Sequence, residues 1–279
     1  MGTVDRYAVV GNPIAHSRSP EIHRLFAQAT RQPISYERLE GPLDGFEEFA
    51  LGLRDSGYLG LNVTIPFKLD ASKLADTLSA RARLAGAVNT LKFDEDTIYG
   101  DNTDGIGFVR DISHRLSFKV PNAAILVLGA GGGVRGLIAS LLEEKPKWIA
   151  VANRTHGRAQ ELADEFGVEA IRLDEIPAEH FDLIVNGTSS SLNQDAPAID
   201  PDTFDDCTLA YDLVYAPEPT AFMRLAQRGG ARAVADGLGM LIEQAAESFL
   251  FWRGVRPDTA PVYRELRRSL DQSRASTTK

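Results

Sequence analysis

Ile125-Leu126-Val127-Leu128-Gly129-Ala130-Gly131-Gly132-Gly133-Val134 joins a short apolar run to a cluster of glycines, and a helical pattern, Val134–Glu144, follows at once. A short run with no polar interruption reads as a strand buried on both faces, the kind found in parallel sheets. Glycine permits a tight turn after such a strand, and it lets backbone N–H groups approach a pyrophosphate at the start of the next helix. Strand, Gly-x-Gly turn and helix in this order form a dinucleotide-binding unit. The sixth position of the fingerprint is Val134 rather than glycine, so the motif is imperfect. A merely flexible turn would not need the strand and the helix on either side of it.

Downstream, the run Trp148–Ala152 ends in Asn153-Arg154-Thr155. An NAD-binding fold usually places an acidic residue near this point for the ribose hydroxyls. Here stand Asn153, Arg154 and Thr155, with Arg158 one helical turn beyond Arg154. Two guanidiniums at that edge attract a 2′-phosphate and favour NADP(H) over NAD(H), the plain alternative being a solvated basic helix start. Further strands are expected at Val168–Leu173, Leu183–Val185, Leu209–Tyr215 and Ala233–Ala235, with helices around Ala159–Phe166 and at Ala221–Arg228.

Upstream, the same alternation of strand and helix forms a separate region. Strands are expected at Tyr7–Val10, Ile34–Leu39 and Tyr58–Val63, and a hairpin at Ala87–Phe93 and Thr97–Tyr99 around Asp94-Glu95-Asp96. Helices are expected from Ser19-Pro20 to about Thr30, over Leu43–Asp55 and over Asp104–Leu116, with Ser19 as an N-cap and Pro20 at the first helical position. A long amphipathic helix starting at Met240 and reaching Trp252, and another at Tyr263–Leu270, come after the second sheet is complete, so they fold back on the first region. Phe249, Phe251 and Trp252 read as core on that helix, and the polar end Asp271–Lys279 as frayed.

Composition limits the function. The 279 residues are 43% hydrophobic and 25% charged, as in a soluble globular protein. A net charge of −9 argues against nucleic acid as a partner, but not against a small anion in a locally positive pocket. The single cysteine, Cys207, excludes an intramolecular disulfide and reads as a small buried side chain. With no signal-like start and no apolar stretch of spanning length, the expected place is the cytoplasm, without a membrane partner.

Polar residues collect at the expected strand ends of the first region. Ser17-Arg18-Ser19-Pro20 offers two hydroxyls beside a helix start, and His16 reads as a residue that holds this loop. Asn62-Val63-Thr64-Ile65-Pro66-Phe67-Lys68, Asn89-Thr90 and Asn102-Thr103-Asp104-Gly105 add amides, hydroxyls, a carboxylate and an ammonium. Such a set suits a small polyhydroxylated acid better than an apolar ligand. The chain therefore reads as an NADP-dependent oxidoreductase with an α/β fold of two domains, its substrate left unnamed by composition and periodicity.

The motifs, taken in order, resemble those of the shikimate dehydrogenase family. Gly11-Asn12-Pro13-Ile14-Ala15-His16-Ser17-Arg18-Ser19-Pro20 matches its opening, followed by Asn62-Val63-Thr64-x-Pro66-x-Lys68, Gly86-Ala87-Val88-Asn89-Thr90 and Asn102-Thr103-Asp104-Gly105. Gly129-Ala130-Gly131-Gly132, Asn153-Arg154-Thr155, Asp212-Leu213-Val214-Tyr215-x-Pro217 and Gly237-Leu238-Gly239-Met240-Leu241-x-x-Gln244 complete the set, so the resemblance spans nearly the whole chain. It implies a substrate domain at 1–104, a Rossmann-like NADP-binding domain at 105–237, and helices at 238–279 completing the former. It implies reversible reduction of 3-dehydroshikimate to shikimate by NADPH. Ser17 and Ser19 would bind the substrate carboxylate, Thr64, Asn89, Asp104 and Gln244 its hydroxyls, with Tyr215 nearby. Lys68 and Asp104 would be catalytic. Gly129, Ala130, Gly131, Gly132, Asn153, Arg154, Thr155, Arg158, Thr188, Leu213, Gly237 and Met240 would contact NADP(H), with no metal. Three departures stand out: Arg24 after His23, Ser191 where glycine is common, and Ala216–Thr220 without the usual Leu-Gln pair. A quinate/shikimate dehydrogenase, an aminoshikimate-type paralogue and an NADP(H)-binding protein without turnover are the competing readings, and the assembly is expected to be a monomer or homodimer.

Overall fold

The computed structural model describes residues 4–177 and 179–277. The chain forms two compact units, Met1–Gly107 with Ile242–Val262, and Phe108–Leu241 with Tyr263–Lys279. The motif boundaries at 104/105 and 237/238 stand beside structural boundaries at 107/108 and 241/242, and the chain from Tyr263, expected to fold back on the first region, instead belongs to the second unit, where Tyr263 and Arg267 bond Arg115 and Asp236.

In chain order the first unit holds β1 (Asp5–Gly11), α1 (Ser19–Thr30), β2 (Ile34–Glu40), α2 (Phe46–Asp55), β3 (Tyr58–Val63), α3 (Lys68–Leu74), β4 (Thr77–Leu78), α4 (Ala80–Ala85), β5 (Thr90–Asp94), β6 (Thr97–Asp101) and the start of α5 (Asp104–Arg110). The sheet order is β2-β1-β3-β5-β6-β4. β1, β2 and β3 are parallel, whereas β5 runs antiparallel to both β3 and β6. Ala8, Val10, Phe46, Leu61, Val63, Phe67, Val88 and Leu91 share one buried cluster. Each such large side chain contributes about 1.5–3 kcal/mol on burial, and a one-residue slip of a strand would expose its whole set.

The second unit holds β7 (Ala124–Leu128), α6 (Gly132–Glu143), β8 (Trp148–Asn153), α7 (His156–Phe166), β9 (Glu169–Arg172), β10 (Leu183–Asn186), β11 (Leu209–Asp212), α8 (Ala221–Arg228), β12 (Val234–Ala235), the first turn of α9 (Leu238–Arg253) and most of α10 (Ala260–Thr277). Its sheet is parallel throughout, in the order β12-β11-β10-β7-β8-β9. Ile125 and Val127 pack into one cluster and Leu126 and Leu128 into another, because successive side chains of β7 point to opposite faces. The strand order reverses between β7 and β10, which opens a crevice at their carboxyl ends. No helix of the described residues is long and apolar enough to cross a membrane.

Several elements differ from the sequence reading. Ser19 is the first residue of α1 rather than its N-cap; Arg18 holds that position without a side-chain cap. The Ser19 amide instead faces Ser17 Oγ at 3.3 Å, and this local turn takes over the cap's role. α2 starts at Phe46 because Gly45 takes the left-handed conformation, φ +82°. α5 ends at Arg110 and continues as a π-helical turn, Asp111–Arg115, closed by Leu116 N–H to Asp111 O at 3.2 Å. α3, β4 and α4 are too short to leave a readable period. α10 keeps Asp271–Thr277 helical where fraying was expected, and Thr278 and Lys279 lie outside the described residues. Cys207 is fully buried, and burial pushes its thiol up to about 12.

Candidate active site

Topology gathers the polar residues of the first unit on one edge of its sheet. Ser17 and Ser19 follow β1, and Thr64 and Lys68 follow β3. β5 runs against β3, so Asn89, just before β5, stands where β3 ends; β6 returns to the same edge and delivers Asp104. Gln244 comes from α9, whose backbone presses on α5 at Gly107. A Cβ there would stand 2.6 Å from Gln244 N and 2.7 Å from Gln244 Cβ.

Lys68 Nζ donates to Asp104 Oδ2, and the two side chains keep 25% and 13% of their exposure, so a ligand can reach the pair. Asn89 Nδ2 donates to Asp104 Oδ1 at 2.9 Å and lies 3.4 Å from Gln244 Oε1. Asn89 Oδ1 accepts from Thr103 N–H and Thr90 Oγ1, both at 2.9 Å. These two donors fix the orientation of the Asn89 amide, and through it the Asp104 carboxylate toward Lys68. Lys68, Asn89, Asp104 and Gln244 thus form one connected cluster.

Ser17 Oγ donates to Ser19 Oγ at 3.2 Å beside the start of α1. Their loop is held by Ser17 N–H to Ile14 O at 3.0 Å and by Arg38 Nε to Ser17 O at 2.6 Å. His16 does not hold it: its imidazole is exposed and takes part in none of these bonds. Arg24 reaches Gln28 Oε1 at 3.2 Å along the exposed face of α1. Thr64 is tied by its backbone, N–H to Val10 O at 2.9 Å.

Sequence reasoning named Asn62, Thr90 and Thr103 among the polar residues at strand ends without giving them a supporting role, and it did not reach Tyr36 or Ser248. Tyr36 Oη donates to Asn62 Oδ1 at 2.7 Å, and Asn62 Nδ2 donates to Thr90 Oγ1 at 3.1 Å and Ser248 Oγ at 2.9 Å. Thr103 is fully buried and its hydroxyl touches both ends of the Asn89 amide. Ser248 was findable, four residues after Gln244 and hence on the same helix face. Tyr36 was not, since its place opposite Asn62 follows only from the β1–β2 and β1–β3 registers.

In the second unit the candidate cofactor residues lie at the carboxyl ends of its strands: Gly129, Ala130, Gly131 and Gly132 after β7, Asn153, Arg154 and Thr155 at β8, Thr188 after β10, Leu213 after β11, Gly237 after β12. Gly129 takes φ +106°, and a Cβ on it would stand 2.9 Å from the Gly187 carbonyl carbon. Met240 lies in the first turn of α9. Among the described residues, Cβ atoms on Gly131, Gly132 and Gly133 would meet nothing within 4 Å, and the N-cap of α6, Gly131, offers no side-chain bond. Open space before uncapped helix amides is what a pyrophosphate needs. Arg154 precedes α7 rather than lying on it, and Arg158 is in its first turn. Both are exposed, and neither is in an ion pair among the described residues. The donors therefore fit a phosphorylated dinucleotide. Tyr215 also belongs to the second unit.

Ser191 proves to be an anchor. Its hydroxyl donates to the fully buried Asp212 carboxylate at 2.6 Å, as does Thr220 Oγ1 at 2.6 Å, with Val214 N–H and Asn186 Nδ2 at 3.1 Å. Burial raises the Asp212 carboxyl, and these four donors oppose the shift. Asn186 Oδ1 in turn takes the Thr188 hydroxyl at 2.7 Å. A serine at 191 thus ties the loop carrying Thr188 to the end of β11.

A parallel sheet with this reversal and open glycine turn, in a chain that also carries a reachable Lys–Asp pair, defines the class of dinucleotide-dependent oxidoreductases. The comparisons with known proteins narrow it. Family models match in three places: a shikimate dehydrogenase substrate binding domain at residues 9–91, shikimate/quinate 5-dehydrogenase at 112–196 and the shikimate 5′-dehydrogenase C-terminal domain at 237–267. The shikimate dehydrogenase (NADP(+)) of Herminiimonas arsenicoxydans is 52% identical over 269 residues, covering 95% of this chain and 98% of that one. That of Aromatoleum aromaticum is 49% identical over 276 residues, covering 96% and 99%. Among solved structures, an Ael1 enzyme from Pseudomonas putida is 46% identical with a TM-score of 0.91, covering 94% of this chain and 98% of that one. Shikimate 5-dehydrogenase of Thermus thermophilus, solved with NADP(H) and shikimate, is 36% identical with a TM-score of 0.86, covering 95% and 99%. The chain belongs to the shikimate dehydrogenase family.

Proposed function

We infer that the protein is an NADP-dependent shikimate dehydrogenase, an oxidoreductase acting on a CH–OH group that reduces 3-dehydroshikimate reversibly to shikimate on the way to chorismate and the aromatic amino acids. The observation that carries the site assignment is the Lys68–Asp104 pair, reachable from solvent and locked from behind by Asn89. The first unit binds the substrate and the second binds NADP(H). Ser17 and Ser19 take the carboxylate. Thr64, Asn89, Asp104 and Gln244 take the hydroxyls, and Tyr215 is assigned to the substrate by its motif. Gly129–Gly132 and Thr188 take the pyrophosphate side, Asn153, Arg154, Thr155 and Arg158 the 2′-phosphate ribose, and Leu213, Gly237 and Met240 the nicotinamide side. The protein works in the cytoplasm as a monomer or homodimer.

NADPH, when bound, supplies the hydride that reaches the ring carbonyl carbon. The chain's own part concerns the carbonyl oxygen. Lys68 Nζ–H donates to it, stabilises the negative charge that develops there and delivers the proton. Asp104 keeps one oxygen on Lys68 and the other on Asn89 Nδ2, so its charge is held beside the ammonium. Contacts of Asn89 and Thr103 with Gln244 Oε1, both at 3.4 Å, orient that amide for a substrate hydroxyl.

The test is initial rates of NADPH consumption with 3-dehydroshikimate, beside 3-dehydroquinate and NADH. Efficient use of the first pair is the expected result. Equal use of 3-dehydroquinate or NADH would place the protein in the broader quinate/shikimate group, and no turnover of any of them would overturn the reading.

A further inference from the structure

Two buried polar side chains of the second unit lie outside the clusters described above. Asp111 is 1% exposed and Tyr211 is fully buried. Asp111 Oδ1 accepts from Arg115 Nε at 2.6 Å, and Oδ2 accepts from Arg115 Nη2 at 2.8 Å and from Tyr211 Oη at 2.7 Å. The same Tyr211 oxygen accepts the Met240 N–H at 3.2 Å. A Cβ on Gly239 would stand 1.9 Å from Asp111 Oδ1, so the backbone at the start of α9 is pressed onto this carboxylate.

The grip has its own supports. The Arg115 guanidinium lies over the Tyr263 ring at 4.4 Å and donates to its hydroxyl at 3.2 Å. Arg267 donates to Asp236, whose Oδ1 faces the Leu238 N–H at 3.3 Å. Asp111 and Arg115 both belong to the π-helical turn, a feature that often marks functional positions. A surface cap would satisfy first-turn amides at far less desolvation cost than a buried carboxylate. What the buried arrangement adds is a fixed geometry. Burial and the neighbouring Asp111 charge raise the Tyr211 hydroxyl well above its ordinary value, so it remains protonated and bridges Asp111 to Met240.

We propose that Asp111 and Tyr211 are positioning residues for hydride transfer, holding the Gly237–Met240 segment in place against the nicotinamide. The proposal rests on the functional reading above, in which Gly237 and Met240 serve the nicotinamide side. Neither residue touches the reacting atoms; both act through the backbone of that segment.

The experiment uses Tyr211→Phe, which keeps the ring packed edge-on against Phe108 at 4.9 Å and removes only the hydroxyl. Amide hydrogen exchange of the ligand-free protein is read first. The Met240 amide is expected to exchange faster than in wild type, with β7 and β8 unchanged. Kinetics are read second, with kcat expected to fall about tenfold while KM for 3-dehydroshikimate and the Kd of NADPH stay within about twofold. The deuterium isotope effect on kcat, measured with NADPH deuterated at both C4 positions, is expected to rise as hydride transfer becomes more fully rate-limiting. Asp111→Asn should move both readouts in the same direction, and if that variant does not fold, Tyr211→Phe decides alone. Unchanged Met240 exchange, or a lower Tm with kcat and isotope effect unaltered, would overturn the proposal. Absence of turnover by the wild type would sink the functional reading instead, and would leave the exchange result standing.

Discussion

His23 should make the stability of this protein acid-sensitive by a predictable amount. Its ring is fully buried, stacked on Tyr36 with centroids 4.1 Å apart and 6° between planes, with Trp252 at 5.4 Å and Phe26 edge-on at 6.0 Å. Among the described residues neither ring nitrogen has a hydrogen-bond partner. Burial lowers its pKa from 6.5 to about 3, with only the nearby Asn62 amide opposing the shift. The unfolded chain therefore takes up a proton below about pH 6.5 that the folded chain refuses until about pH 3. The stability this group allows is complete above that window and drains away as pH falls through it. One pH unit of one proton is about 1.4 kcal/mol, so the loss from this residue is about 2 kcal/mol at pH 5 and about 3 kcal/mol at pH 4. Urea unfolding of wild type and His23→Phe, followed by fluorescence at pH 7.5, 5 and 4, isolates it. Carboxylate contributions and any packing offset at neutral pH cancel in the difference between the two proteins. If both lose stability equally on acidification, the buried neutral histidine is refuted.

Three other outcomes follow from the sites. Lys68→Ala should lower kcat by about 10²–10³-fold, with a smaller change in KM, because the ammonium acts on charge present only in the transition state; an unaltered kcat in steady-state assays would remove Lys68 from the chemistry. Arg154→Ala and Arg158→Ala should each raise the Kd of NADPH by about tenfold or more and leave that of NADH nearly unchanged, as fluorescence titration would read. Equal effects on both dinucleotides would mean that the guanidiniums do not meet the 2′-phosphate. Ser191→Ala removes one of four donors from the buried Asp212 carboxylate and should cost about 1–3 kcal/mol of stability by urea unfolding. A neutral result would mean that the remaining donors suffice.

The second unit was the more legible of the two in sequence. Its strand β7 is a continuous Ile/Leu/Val run after Ala124, and the glycine turn has to follow such a strand, so Ile125–Gly133 marked both the sheet and the candidate cofactor turn. The departure at Ser191 was visible but not its meaning, because Asp212 lies in the next strand and only the β10–β11 pairing brings them together. In the first unit the candidate reactive residues were visible as motifs at strand ends, whereas Ser19 as N-cap and His16 as loop holder were misread. Both errors are local: the sequence shows which polar groups flank a helix start, not which one the turn aims at the amide.

Composition, periodicity and motif order by themselves determined the class of fold and the candidate residues for both sites. Those properties are carried by near neighbours in the chain: a strand's alternation, a helix's repeat, a glycine where a turn must close. Tertiary structure alone decided the Tyr36–Asn62–Thr90–Ser248 support, the cage around Asp212, the partnerless imidazole of His23 and the grip of Asp111 and Tyr211 on α9. Each joins residues distant in sequence, and each depends on burial, which sets what a polar group must find as a partner and is a property of the packed chain rather than of any segment.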